Sequence, residues 1–249
     1  MIEYLLGFLI AGAVGLTGVG AGSITAPVLI LFFNLNPALA VGTALSFAAT
    51  IKFAVLPVYM RRRQVDFRVL KLLCLGGIPG VLFGFTVMEK LDMRNHQRVI
   101  FGMLGVTILA VSLANLYRAI RNRLPVRPAD RSRWLPPIAA LIGGEVGFSS
   151  AGAGAMGAVA LLNLTTLTPA QVVGTDMVFG LVISILGGGL HVTAGNYDSS
   201  ILIKLVIGGV VGAICGAMLS SRIPPRPLRL ALCVWLAILG VQLCWKALN

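Results

Sequence analysis

Few residues in this sequence have the types to do chemistry, and almost all of them stand in apolar surroundings. Two small-residue clusters lead, "GLTGVGAGSITAP" at residues 15–27 and "GFSSAGAGAMGAV" at residues 147–159. Each sits inside a long apolar run. Glycine there permits non-helical dihedrals and close backbone approach. A helix that restarts after such a break offers unpaired N–H groups and about half a positive charge at its first turn. The expected chemistry is anion binding by backbone amides. The expected lining is Thr17, Gly18, Gly20, Gly22 and Ser23 from the first cluster, with Ser149, Ser150, Gly152 and Gly154 from the second.

Ionisable groups within apolar segments are rare and are functional candidates by default. Lys52 offers an anion a positive charge, or else snorkels toward the basic loop at Arg61. Asp176 can take up a proton or pair with Lys52; the competing reading is a helix N-cap. His191 is a candidate proton relay, against a plain interfacial or hydrogen-bonded role. Glu145, two residues before the second cluster, would be protonated or paired and is a third coupling candidate. Asp66 and Asp198 read as helix caps.

These residues need elements to hold them, and composition names the elements. The chain has 249 residues, 57% hydrophobic and 11% charged. Soluble domains carry about 25% charged residues. The expected fold is an all-α polytopic membrane protein. Its net charge of +12 collects in loops, where Lys and Arg mark the cytoplasmic side. Nucleic acid is not an expected partner, since aromatic-plus-basic interleaving is absent. The partners expected are a small anion and the lipid bilayer; a homodimer is left open. Cys74, Cys215, Cys233 and Cys244 lie in apolar segments without ligand spacing, so neither disulfide nor metal is expected. No cofactor is expected, and without a Walker motif neither is ATP drive. "MIEYLLGFLI" lacks a basic n-region and does not read as a cleaved signal peptide.

Shifted by 132 positions, the sequence overlays itself without a gap. Gly15, Gly20 and Gly22 fall on Gly147, Gly152 and Gly154, and "NPALAVGT" falls on "TPAQVVGT". Phe47 falls on Phe179, Asp66 on Asp198, and Gly76, Gly77, Gly80 and Gly84 on Gly208, Gly209, Gly212 and Gly216. The division is repeat 1 at 1–117, a basic cytoplasmic linker at 118–136 and repeat 2 at 137–249. Apolar segments are expected at 2–33, 38–59, 69–88 and 98–117, then 137–164, 170–192, 201–219 and 229–247. The loop with Arg61, Arg62 and Arg63 is basic and its counterpart "AGNYDSS" is not. The loop with Arg222 and Arg226 is basic and its counterpart "EKLDMRNH" is nearly balanced. Basic loops that trade places between halves predict two inverted four-segment repeats. Each then opens with a broken re-entrant helical hairpin, because one segment per half must not cross. Glycines can instead mark close helix packing, and the i+4 series Gly76, Gly80, Gly84 reads that way.

Carried by "GVGAGSITAPVL", "AVGTALS" and "RRRQVDFR", and again by "GFSSAGAGA", "VVGTDMVFG" and "GLHVTAGNYDSS", the chain resembles the TauE/SafE sulfite exporter family of membrane transporters over nearly its whole length. The resemblance implies cargo such as sulfite, sulfonates or related organosulfur anions. It extends to Gly20, Gly22, Thr43, Gly152, Gly154, Thr175, Asp176 and His191, and so adds Thr43 and Thr175 to the expected substrate-binding set. Ala44 stands where the family often has Ser, and Glu145 is not a pattern residue. The expectation is a secondary transporter of the inner cell membrane, multi-pass and not an enzyme. A passive anion channel on the same scaffold is one alternative. A Ser/His intramembrane hydrolase built on "GFSS" and His191 is the other.

Overall fold

A computed structural model describes residues 1–17, 20–90, 93–121, 131–150, 156–219 and 225–248, and among these there is no strand. The helices are α1 (Ile2–Thr17), α2 (Ala21–Phe32), α3 (Pro37–Arg61), α4 (Phe67–Lys90) and α5 (Met93–Arg121). After a short 3₁₀ turn come α6 (Leu135–Ser149), α7 (Met156–Leu164), α8 (Pro169–Thr193), α9 (Ser199–Leu219) and α10 (Pro225–Leu248).

Local chemistry sets these boundaries. Proline opens α3, α8 and α10, where its missing N–H costs nothing. Asn36 Oδ1 accepts from Leu39 N at 2.8 Å. Thr168 and Gln171 close a capping box on α8. Asp66 Oδ1 accepts from Val69 N at 3.0 Å and Asp198 Oδ1 from Ile201 N at 2.9 Å, the capping role expected of both. The chain turns after α3 and α8 in the same way, with Arg63 at φ 51° and Gly195 at φ 73°.

Helices α3, α4, α8 and α9 are long and apolar enough to cross a membrane. Helices α1 and α2 are not: 16 and 12 residues reach about 24 and 18 Å, short of a hydrocarbon core of about 30 Å. Helices α6 and α7 are shorter still, at 15 and 9 residues. Exposed apolar side chains such as Val106, Leu113, Ile238 and Trp245 on α5 and α10 face outward, as lipid contact requires in a multi-pass membrane protein.

Packing joins the halves rather than separating them. Helix α1 lies on α9, α6 on α4, α3 on α8 and α5 on α10. Added Cβ atoms on Gly76, Gly80 and Gly84 would strike the carbonyls of Pro136, Ala140 and Gly144. Added on Gly208, Gly212 and Gly216, they would strike those of Tyr4, Phe8 and Gly12. In both sets the two numbers rise together, so the paired helices run parallel at backbone contact, the packing read from the i+4 glycine series. Between α3 and α8 the numbers run oppositely: Leu45 meets Gly187 and Lys52 meets Gly180. Those two helices are antiparallel. The α4–α6 glycine contacts have their counterparts 132 residues away in those of α9 and α1, the separation also of Lys52 and Ser184. Gly77 faces the ring of Phe179 as Gly209 faces that of Phe47. Asp66 N donates to Thr175 Oγ1, and Asp198 N to Thr43 Oγ1, each at 3.0 Å.

Candidate functional site

The start of α2 meets the end of α6. Gly20 is extended at φ −61°, ψ 130° and opens α2 without a side-chain cap. Ser23 Oγ folds back on Gly20 O at 2.6 Å, and Thr25 Oγ1 on Ala21 O at 2.8 Å. Across from them α6 ends at Ser150, held left-handed at φ 64° with its N–H on Val146 O. Gly22 lies directly against Ser150: a Cβ there would collide with the Ser150 hydroxyl and carbonyl. Ser150 is 1% exposed and its Oγ has no partner among the described residues. Ser149 Oγ donates to Glu145 Oε1 at 2.7 Å, while Glu145 Oε2 is buried without a partner. A buried hydroxyl left open beside amide-bearing backbone is fit to meet an anion.

His191 belongs to the same neighbourhood. Its Nε2 lies 3.3 Å from Gly147 O, Phe85 meets the ring edge-on at 5.0 Å, and Nδ1 has no partner. His191 is fully buried rather than exposed at an interface.

Lys52 and Asp176 form a second group on the facing surfaces of α3 and α8. Lys52 is 4% exposed and donates from Nζ to Ser184 Oγ at 3.2 Å, so it does not snorkel. Its head rests over Gly180, where a Cβ would be 2.5 Å away. Asp176, Gly180 and Ser184 recur every fourth residue along α8, so they share one face. Asp176 is not a cap, since Thr168 caps that helix. Its Oδ1 is buried without a partner and packs against Gly157, in the first turn of α7. It is not among the direct ion pairs of the described residues.

Thus Gly20, Gly22, Ser23, Ser149, Ser150, Glu145 and His191 are brought together, and Lys52 with Asp176. Thr43 and Thr175 accept backbone N–H groups at the turn of the opposite half. Gly18, Gly152, Gly154 and the side chain of Thr17 lie outside the described residues. Sequence reasoning missed Ser184 and Gly180. The signal was available for Ser184, which occupies the repeat position equivalent to Lys52, 132 residues on.

Buried charges between apolar helices fit a membrane transporter. The family model "Sulfite exporter TauE/SafE" matches residues 4–243, and the chain belongs to that family. It is similar to two probable membrane transporter proteins of Bacillus subtilis (strain 168). With YjnA it is 29% identical, over 96% of this chain and 97% of the relative. With YunE it is 25% identical, over 96% of each. It is also 25% identical to a probable membrane transporter protein of Xylella fastidiosa (strain Temecula1 / ATCC 700964), over 87% of this chain and 83% of that one. No solved structure matches the chain.

Proposed function

We propose that the protein is a secondary transporter for a small anion, sulfite, a sulfonate or a related organosulfur anion, held between the tips of two re-entrant hairpins. The observation that carries this reading is the first turn of α2 seated against the unpartnered hydroxyl of Ser150. The hairpins are α1–α2 and α6–α7, in two inverted repeats at 1–117 and 137–249. The antiparallel pairing of the equivalent helices α3 and α8 supports that inversion. The short lengths of α1, α2, α6 and α7 support re-entry. The linker 118–136 lies on the cytoplasmic side of the cell's inner membrane. Lys52 supplies the one cationic side chain of the site, while Gly18, Gly152, Gly154 and Thr17 complete the tips.

The hydrolase reading is weaker. Such a dyad needs a serine hydroxyl bonded to its histidine, whereas Ser149 Oγ is bonded to Glu145 and His191 Nε2 faces Gly147 O.

The test is uptake of sulfite and methanesulfonate into proteoliposomes. Flux should saturate and be accelerated by the same anion on the far side, which a passive channel cannot do. Lys52→Ala should raise the apparent KM about 30-fold, the equivalent of losing a charged hydrogen bond of about 2 kcal/mol. Rates no higher than in empty vesicles for both anions would end the substrate claim. Cysteines placed at Asn34 and Arg62 should label from opposite sides of the membrane.

A further inference from the structure

Lys52 and Asp176 break the internal symmetry of the molecule. Lys52 has Ser184 at its equivalent position, and Asp176 has Ala44. Two opposite charges are therefore buried on a single face where the repeat needs none. They do not close on each other: the ammonium is drawn to Ser184, with Gly180 between it and Asp176 on the α8 face. One carboxylate oxygen has no partner among the described residues. Helices α2 and α7, packed beside this face, carry no titratable side chain. On the other packed elements, Lys204 of α9 is paired with Glu3, Glu145 of α6 is bonded to Ser149, and Arg68 and Lys71 lie in the first turns of α4.

We infer that Asp176 and the transported anion alternate as the counter-charge of Lys52, so that one proton and one anion bind together. This rests on the anion-site reading given above. With the site empty, ionised Asp176 balances Lys52. When a monoanion arrives, Asp176 takes a proton from the adjoining water and becomes neutral, and the anion balances Lys52. Both states are net neutral. The two alternatives, anion bound with Asp176 ionised or site empty with Asp176 protonated, leave one uncompensated charge in a low-dielectric interior, which is costly. Proton and anion therefore bind cooperatively, and a monoanion crosses in symport with one proton, moving no net charge.

Methanesulfonate is a suitable probe, because its own charge stays fixed across the working pH range. With the purified full-length protein, binding should take up one proton per anion, read by an indicator dye in weakly buffered solution. Above the pH at which Asp176 ionises in the empty protein, Kd should rise about tenfold per pH unit. In proteoliposomes an inward proton gradient should drive accumulation without generating a membrane potential. Below the pH at which Lys52 loses its own proton, Asp176→Asn should bind with one affinity at every pH and take up no proton, and it should lose gradient-driven accumulation. If Asp176→Asn does not fold, proton uptake by the unmodified protein decides alone. Anion binding without proton uptake, or an Asp176→Asn protein with the unmodified pH dependence, overturns the linkage and leaves the anion site standing. Failure of both methanesulfonate and sulfite to bind at any pH overturns the anion site and the linkage with it.

Discussion

At the scale of single residues, the chemistry turns on what stands opposite each side chain. Lys52 had two readings from sequence, and its position alone did not choose between them: two to three turns of helix separate it from the Arg61 loop, within reach of a snorkelling chain. What decides is Gly180, whose missing side chain leaves room for the ammonium on the neighbouring helix. The same holds for Thr43 and Thr175, grouped by family resemblance with the substrate site and seen to accept backbone N–H groups from the other half. Both outcomes depend on which helix faces which, and a local pattern does not encode that. The glycine clusters were legible because they interrupt the hydropathy itself. Two substitutions separate these roles. Gly180→Ala places a methyl 2.5 Å from Lys52 Nζ; the flexible head can move, so the protein should fold normally. The displaced charge should raise the apparent KM for sulfite by roughly tenfold, equivalent to about 1.4 kcal/mol of lost binding. Gly22→Leu drives a branched side chain into Ser150, whose carbonyl cannot yield as easily. Uptake should be abolished while membrane insertion, followed by surface labelling, stays intact. Normal uptake by Gly22→Leu would contradict a site at the tips.

At the scale of elements, the helix inventory was readable because the rules that make helices in lipid are blunt. Every backbone group must be satisfied internally, so apolar runs become helices, and Pro37, Pro169, Asp66 and Asp198 mark where they start. The expected segment 38–59 became Pro37–Arg61, and 170–192 became Pro169–Thr193. Segments 98–117 and 229–247 were drawn too short, because α5 begins at Met93 and α10 at Pro225. Their first turns are polar, and hydropathy does not register a helix that continues past its apolar part. Partner choice between elements was legible only in outline. The Gly76, Gly80, Gly84 series announced a close contact but not that α6 would make it. This contact can be measured. Gly80→Ala sets a methyl against the Ala140 carbonyl, so α4 and α6 must part, at a cost of about 1–3 kcal/mol for an overpacked contact. Gly189→Ala, with nothing within 4 Å of the added carbon, should be neutral or stabilise by up to about 1 kcal/mol through helix propensity. Unfolding in detergent should rank Gly80→Ala well below the unmodified protein and Gly189→Ala level with it. Equal losses would mean that the glycines serve flexibility rather than contact.

At the scale of the whole molecule, the duplication was visible in the sequence and its consequence was not. Two copies could have folded side by side, each around its own core. Instead each half lends its opening helix to the other: α1 packs on α9 and α6 on α4. Thr43 holds the turn at Asp198 while Thr175 holds the turn at Asp66. A half produced alone would leave exposed the row Gly76, Gly80 and Gly84, or its counterpart Gly208, Gly212 and Gly216, each shaped to receive a backbone from the other half. If the chain is cut within 122–130 and the two fragments are expressed together, they should co-purify and restore uptake to within about twofold of the intact protein, since the effective concentration supplied by a short linker is replaceable by tight mutual burial. Each fragment alone should be degraded or aggregate. Adding Gly80→Ala to the first fragment should weaken recovery of the pair more than it weakens the intact chain, because assembly of fragments, unlike folding of one chain, has no tether to offset the lost contact. A single fragment that is stable and monodisperse by itself would show that the halves are independent domains, and the exchange of opening helices would then be an embellishment of packing rather than the basis of the fold.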